Sequence, residues 1–445
     1  MRKATAELIL KDPDRFAHHD RVFLNNPVVM QGMGLAPLVV LATTAHNGVM
    51  LAAAVTLLLV PSRVLACLLS RLFPLNSENP APEELQKKLL PRALVYSLSA
   101  SVVYLVAYPI LNAVFGTSLL TLGIYLPLLV VEPLLTYRFG RVQETLHKAV
   151  SKGLRITVGY ALLLMLLGCV REWLALGTVF GTPVGQRAVL PMAGMPAGGF
   201  IVLGVLCAVW RALAARRKAY LVREARSLVD VHAQKGGGRR AMRDVVNWPG
   251  WCSLAMRCWP WLPRMPSFTR RLGVSRLVQL VGDDRTSSWL FGLQLCITQV
   301  LVAPLTWYAG SWIVSLENRA QLRRWCMWPP LPWVCTAEEL VLGLGRRLPL
   351  AGKLLRIVPV AALNSCVLGT VLVERTQSFT LMQSLGFGLG SGVGYLLAVL
   401  LVTEAQHRLR SKAIPSAFRG LPITLVYIGV LALAIYGFTG HSVIL

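Results

Sequence analysis

The chain has 445 residues, of which 55% are hydrophobic and 15% charged, with a formal net charge of +25 and a mean hydropathy of +0.58. That balance excludes an ordinary soluble domain, whose core does not need so much apolar surface. The positive charge does not point to nucleic acid, because Lys and Arg are confined to segments between apolar runs.

The first 25 residues are charged at both ends and hold no apolar run followed by a small-residue cleavage site. They are expected to form a cytoplasmic amino-terminal segment without a removable signal. From there, stretches of about 20 apolar residues recur, long enough to cross a hydrocarbon layer about 30 Å thick. They lie near 27–45, 48–70, 93–115, 117–136, 155–169 and 192–210, then near 288–316, 331–345, 357–373, 380–402 and 421–440. The chain therefore reads as an all-α integral membrane protein with about eleven transmembrane helices. Its parts are a six-helix block over 26–211, a basic cytoplasmic linker over 212–287 and a five-helix block over 288–445. Basic clusters at 2–21, 71–92, 138–155, 211–275, 346–356 and 408–419 all fall on one side if residue 1 is cytoplasmic. This positive-inside pattern predicts an inner-membrane protein with a cytoplasmic amino terminus and a periplasmic carboxyl terminus.

Polar residues inside or beside the apolar runs are the candidate site. His46 and Asn47 close the first run and are expected to satisfy backbone groups freed by a helix break. Glu132 stands beside Pro133 within an apolar run. It is read either as an ion-path carboxylate or as a side chain hydrated in the break that Pro133 opens. Arg171 and Glu172 sit at a span end, where an ion pair or interfacial anchoring is favoured over transport chemistry. In the linker, Trp248 to Trp261 mixes tryptophans with Arg257 and Pro260, which suits contact with anionic membrane lipid at the headgroup level. Glu338 and Glu339 read as a solvated cap. Gly386, Gly390 and Gly394, with Gly388 and Gly392 between them, miss the GxGxxG spacing and read as a helix-packing face. Nine cysteines are scattered without CxxC spacing, so neither a disulfide framework nor a zinc site is indicated, and Cys252 and Cys258 read as ordinary thiols. No hydrolase or phosphate-loop motif occurs.

Three stretches of the first block carry a resemblance: Asn26-Pro27 through Gln31, Gly34, Leu35, Ala36 and Pro37; Leu122 through Leu128; and Gly168-Cys169-Val170-Arg171-Glu172 with Gly177-Thr178. They resemble the RnfE/NqrD subunit of the Rnf/Nqr family of ion-translocating electron-transport complexes. In the second block, Asn364 with Val367-Leu368-Gly369, Pro415 through Gly420, and Gly437 through Gly440 are similar to the partner subunit, RnfA/NqrE. The resemblance implies two homologous, oppositely oriented repeats fused end to end. The second repeat lacks its first helix. That deletion restores the parity of crossings, since six spans that start inside also end inside.

The family relationship also implies a mechanism. Cysteines from half-helices of both subunits meet near the midplane, where four thiolates hold a [2Fe-2S] cluster that passes electrons across the bilayer. Here those positions are held by Ala36, Pro133 and Ser365, and the remaining one belonged to the missing helix. Cys366 is one residue off, about 100° around a helix. No cluster or other cofactor is expected in this chain. The expected role is a membrane subunit of a translocase coupling electron transfer to Na⁺ or H⁺ movement, with flavin-bearing and iron-sulfur subunits as partners. The alternative is a redox-silent scaffold or transporter-like protein. Asn364 joins Glu132, Arg171 and Glu172 as a polar intramembrane candidate.

Overall fold

The computed structural model describes residues 9–72, 82–122, 126, 145–235, 288–314 and 357–439, apart from 11, 13–15, 17–19, 21, 33, 186–187, 359–360, 362–363, 378, 410 and 412. The first apolar run does not form one helix. It makes α1 (Pro27–Gln31) and α2 (Leu35–Leu41). Between them Gly32 and Gly34 adopt φ of 61° and 64°, the left-handed region that glycine enters without a Cβ penalty. Then follow α3 (Ala45–Leu69), α4 (Pro82–Phe115), α5 (Leu146–Leu176) and α6 (Pro196–Lys235). Between α5 and α6 a hairpin pairs β1 (Thr178–Val179) with β2 (Thr182–Pro183) through Phe180 and Gly181, both at positive φ as a two-residue hairpin turn requires. The second block contributes α7 (Ser288–Val314), α8 (Ser365–Gln377), α9 (Leu381–Leu409) and α10 (Leu421–Thr439).

Six of these helices, α3, α4, α5, α6, α7 and α9, contain stretches long and apolar enough to cross a membrane. Large apolar side chains on them, among them Val106, Val114, Leu176, Leu389 and Leu397, are exposed, which a multi-pass membrane protein turns towards lipid. Most of the expected spans at 117–136 and 331–345 lies outside the described residues. The expected span at 357–373 is represented by α8, which starts later and has 13 residues. Helix α6 continues about two dozen residues beyond the expected span end near 210. The first part of the expected linker is therefore helical: Ala, Arg, Lys, Glu and Leu dominate 212–235, and all are strong helix formers.

Each block is centred on a pair of helices crossing at glycines. On α5, a Cβ at Gly168 would meet the Thr44 carbonyl oxygen at 2.6 Å, and one at Gly48 on α3 would meet the Leu164 oxygen at 2.9 Å. On α9, a Cβ at Gly388 would lie 3.0 Å from the Gln299 oxygen and one at Gly392 2.9 Å from Cys296 Cα. Rising numbers on one helix meet falling numbers on its neighbour, so both pairs are antiparallel. The expected packing face on α9 is thus carried by Gly388 and Gly392 alone. Among the described residues nothing lies within 4 Å of a Cβ placed on Gly386, Gly390 or Gly394, since a two-residue step on a helix turns the face by about 200°. The blocks are joined by α6 and α10, where Gly204 approaches the Pro422 oxygen and Gly429 the Ala197 oxygen; this pair is antiparallel as well.

Candidate functional site

The break between α1 and α2 is held from several directions. Asn26 is fully buried; its Nδ2 donates to the oxygens of Val22 (3.1 Å) and Gly159 (2.9 Å), while its Oδ1 accepts from the Val28 N–H (3.0 Å). Tyr160 donates its hydroxyl to the Gly34 oxygen at 2.7 Å. It lies so close that a Cβ on Gly34 would run into the phenol ring and its oxygen.

Arg171 is buried completely. Its guanidinium donates to five carbonyl oxygens: Nε to Ala193 (2.8 Å), Nη1 to Val39 (2.5 Å) and Ala42 (3.1 Å), and Nη2 to Gly194 (3.2 Å) and Met195 (3.1 Å). Val39 and Ala42 end half-helix α2, and the others end the 3₁₀ turn Pro191–Gly194. A planar cation with five donors matches carbonyls left open at helix ends, where the dipole is negative. Glu172 turns the other way. Its Oε2 accepts from the Ala45 N–H at the start of α3 (2.7 Å), and its Oε1 from Thr178 Oγ1 (3.0 Å) and the Gly181 N–H (2.9 Å). The two side chains bond to separate sets of partners. They clip the end of α2 and the start of α3, the two sides of one turn that lies far from them in sequence.

The freed groups at the turn between α2 and α3 are thus served by Arg171, Glu172 and Thr44, whose hydroxyl accepts the Asn47 N–H at 3.2 Å. His46 is exposed, and the Asn47 side chain donates to the Thr43 hydroxyl (3.3 Å), so neither has the role expected of it. Ala36 stands second in α2, directly after the break. Ser365 begins α8. Glu132, Pro133, Glu338, Glu339, Cys252 and Cys258 lie outside the described residues. Asn364 is buried just before α8, where its Oδ1 accepts the Cys366 N–H (3.1 Å) as a cap and its Nδ2 reaches the Tyr395 hydroxyl (3.4 Å).

A second polar set, which sequence reasoning missed, lies in the seam between α7, α8 and α9. Gln299 Nε2 contacts Cys366 Sγ (3.1 Å) and Thr370 Oγ1 (3.4 Å), and Ser391 Oγ lies 3.3 Å from Thr370 Oγ1. One helical turn along α8, the Glu374 carboxylate accepts hydroxyl hydrogen bonds from Thr306 and Ser384. The signal was present: Cys366, Thr370 and Glu374 are spaced by four, and Gln299/Thr306 and Ser384/Ser391 by seven, so each set lies on one helix face.

The thiols in view are spread out. Cys67 and Cys207 are buried, Cys169, Cys296 and Cys366 are half-buried, and none of these five forms a disulfide. Among the described residues no three His, Cys, Asp or Glu side chains converge on a point. The methyl group of Ala36 offers iron no donor. A cleft of about 650 Å³ lies between the blocks, lined by Leu24, Met30, Arg211, Lys218 and Ser416 among others.

Comparison with known proteins adds the family context. The sequence model of one family, described as "Rnf-Nqr subunit, membrane protein", matches twice, over residues 17–207 and 260–442. The A-type subunit of the ion-translocating oxidoreductase complex of Syntrophotalea carbinolica is 42% identical over 83 residues, 19% of this chain and 43% of that protein. The E-type subunit of the Na(+)-translocating NADH-quinone reductase of Psychromonas ingrahamii is 36% identical over 83 residues, 19% of this chain and 41% of its own length. The chain thus spans about two fifths of these two relatives. The A-type subunit of the ion-translocating oxidoreductase complex of Yersinia enterocolitica is 31% identical over 167 residues, 37% of this chain and 86% of that protein. No solved structure matches the chain.

Proposed function

Because the chain belongs to the Rnf-Nqr family of membrane subunits, we propose that it is an integral membrane component of an ion-translocating electron-transport assembly, working without an iron-sulfur cluster of its own. The observation that carries this reading is the double family match laid over two blocks that each centre on a glycine-crossed antiparallel pair. The relatives are named as subunits of complexes that move ions, Na⁺ in one case. Coupling to Na⁺ or H⁺, and partnership with flavin-bearing and iron-sulfur subunits, come to this chain by that relationship.

Opposite orientation of the two repeats is supported by α6 and α10, which meet antiparallel and are the last described helix of their respective blocks. Ile9 packs on Ala225, so the amino-terminal segment and the far end of α6 lie at one end of the molecule. With the charge pattern, this favours a bacterial inner-membrane protein with that end in the cytoplasm and the carboxyl terminus in the periplasm. The cleft with Arg211 and Lys218 lies at the same end and suits an anionic lipid headgroup, its apolar lining taking the start of an acyl chain.

A redox-silent scaffold is the second reading, favoured by Ala36: the broken helix is kept and locked by Arg171, Tyr160 and Asn26, while the position facing a cluster carries no ligand. The deciding experiment measures iron, acid-labile sulfide and co-purifying proteins on the chain expressed with its genomic neighbours. Flavin-bearing partners with no iron on this chain is the expected result. Two irons per chain would remove the no-cluster reading, and a chain without redox partners would leave the scaffold.

A further inference from the structure

We propose that the hairpin between α5 and α6 anchors the chain in lipid, with the Phe180 ring at its turn lying in the headgroup layer of the leaflet opposite the Ile9 end of the molecule. Phe180 is 56% exposed, and Val184 and Val189 in the same connection are 64% and 67% exposed. From Trp173 to Gly199 the sequence carries a single charged residue, Arg187. A connection standing in water would expose polar side chains there, whereas an apolar, exposed and nearly uncharged one fits a lipid surface. Phe180 is also the one non-glycine residue with positive φ among the described residues, at 52°. Both turn positions of a two-residue hairpin need that conformation, and Asn, Asp or Gly enters it at less cost than an aromatic residue. The turn itself thus gives no reason for a ring at this position; contact with lipid does.

The exposed stripe of α5 sets the depth. Leu154, Val158, Leu162, Leu166, Trp173 and Leu176 are all exposed. At about 100° per residue they fall within about 120° of arc, so they form one face. From Leu154 to Leu176 that face runs about 33 Å along the helix axis, and about 31 Å across the membrane at a tilt of about 20°. A hydrocarbon core is about 30 Å thick, so Leu176 stands at its boundary and the hairpin, which starts at Thr178, at headgroup level. Trp173, near the same end, is a residue type that gathers at this level. Helix α6 begins after the hairpin at Pro196 and meets Ile9 through Ala225 towards its other end, which puts the hairpin in the opposite leaflet. Hydrogen bonds hold the turn on α5: Glu172 Oε1 accepts from the Thr178 hydroxyl and the Gly181 N–H, and the Gly177 oxygen accepts the Val184 (3.0 Å) and Gly185 (2.9 Å) N–H groups. Because Glu172 also holds the Ala45 N–H, the anchor is tied to the start of α3. A second copy would have to match stripe and hairpin together over the whole thickness of the membrane, while lipid covers both without a complementary surface. The inference rests on α5 spanning the membrane and not on the electron-transport reading.

The experiment uses the full chain without its native cysteines, bearing Phe180→Cys, Val184→Cys, Leu162→Cys or Arg226→Cys, labelled with bimane and placed in phosphatidylcholine nanodiscs, which leave both faces open to water. Emission is quenched in turn by a nitroxide lipid labelled near the headgroup, by one labelled deep in the acyl chain, and by iodide. Val184→Cys leaves the Phe180 ring in place and so reports on the hairpin with its turn unaltered. Both hairpin probes should be quenched roughly twofold or more better by the shallow nitroxide than by the deep one, and should be shielded from iodide relative to Arg226→Cys, an exposed position on the α6 extension. The Leu162→Cys probe, in the middle of the stripe, should favour the deep nitroxide. Iodide quenching of the hairpin probes equal to that of Arg226→Cys overturns the proposal. Shielding from iodide without quenching by either nitroxide, as a second copy or another protein would give, overturns it as well, and so does stronger quenching by the deep nitroxide than by the shallow one.

Discussion

Arg171 brings a full positive charge into the packed interior of the first block and distributes it over five backbone carbonyls, of which the Met195 oxygen also accepts the Gly199 N–H. Replacing it with Met keeps the volume and removes five hydrogen bonds to backbone oxygens. The expected loss is on the order of 3–5 kcal/mol, read as thermal unfolding of the purified chain or as failure to accumulate in the membrane. Arg171→Lys keeps the charge but offers three donors from one point in place of a planar fork, so it should recover only part of that loss. Gly34 tests the break itself. Gly34→Ala combines a positive φ with a clash against Tyr160, whereas Gly116→Ala, at φ 56° with no described residue within 4 Å of its Cβ, keeps only the backbone cost of about 1–2 kcal/mol. The Gly34 variant should therefore unfold at a clearly lower temperature than the Gly116 variant. Equal midpoints would mean that the Tyr160 contact does not hold the break closed.

At the level of elements, the antiparallel crossings set how the helices stack. In lipid there is little hydrophobic drive between helices, so close approach at small residues supplies the attraction. Gly392→Val should force α7 and α9 apart and cost about 1–3 kcal/mol by overpacking. Gly390→Val, two residues away with no described residue within 4 Å of its Cβ, should be close to neutral. Comparing midpoints for this pair checks the assignment of the packing face, which spacing alone could not make. The run from Gly386 to Gly394 satisfies a four-residue rule in two interleaved sets, 386/390/394 and 388/392. Only the position of Cys296 and Gln299 on α7 tells them apart. The broken first helix, in contrast, was legible: Asn26-Pro27 followed by Gly32 and Gly34 writes a cap and two left-handed positions into a short run of consecutive residues.

For the whole molecule, antiparallel contact of α6 with α10 gives a direct test of repeat orientation. With single cysteines placed near residue 5 and near residue 443 of a cysteine-free variant, a membrane-impermeant thiol reagent applied to intact spheroplasts should label the second and spare the first. Labelling of both or neither would reject the inverted arrangement. A pair of cysteines at Gly204 and Val426 should crosslink on oxidation, since a Cβ at Gly204 would lie 2.8 Å from the Val426 side chain. Crosslinking without loss of expression would tie the two blocks together at their last helices.

The sequence by itself determined that the chain is an apolar, helical, multi-pass membrane protein of two related blocks, because span length, charge placement and local motifs are properties of consecutive residues. It also shows Ala36 at the position that the family resemblance aligns with a cysteine, which needs no coordinates. It did not determine what Arg171 and Glu172 do, since their partners stand up to 132 residues away and become neighbours only when α2, α3 and α5 pack. Nor did it single out Glu374. Beside Arg375 at the end of an apolar run, that carboxylate looks like any hydrated helix end. Only the convergence of α7, α8 and α9 removes it from water and gives it the Thr306 and Ser384 hydroxyls, because burial depends on which helices meet and not on the order in which they are joined.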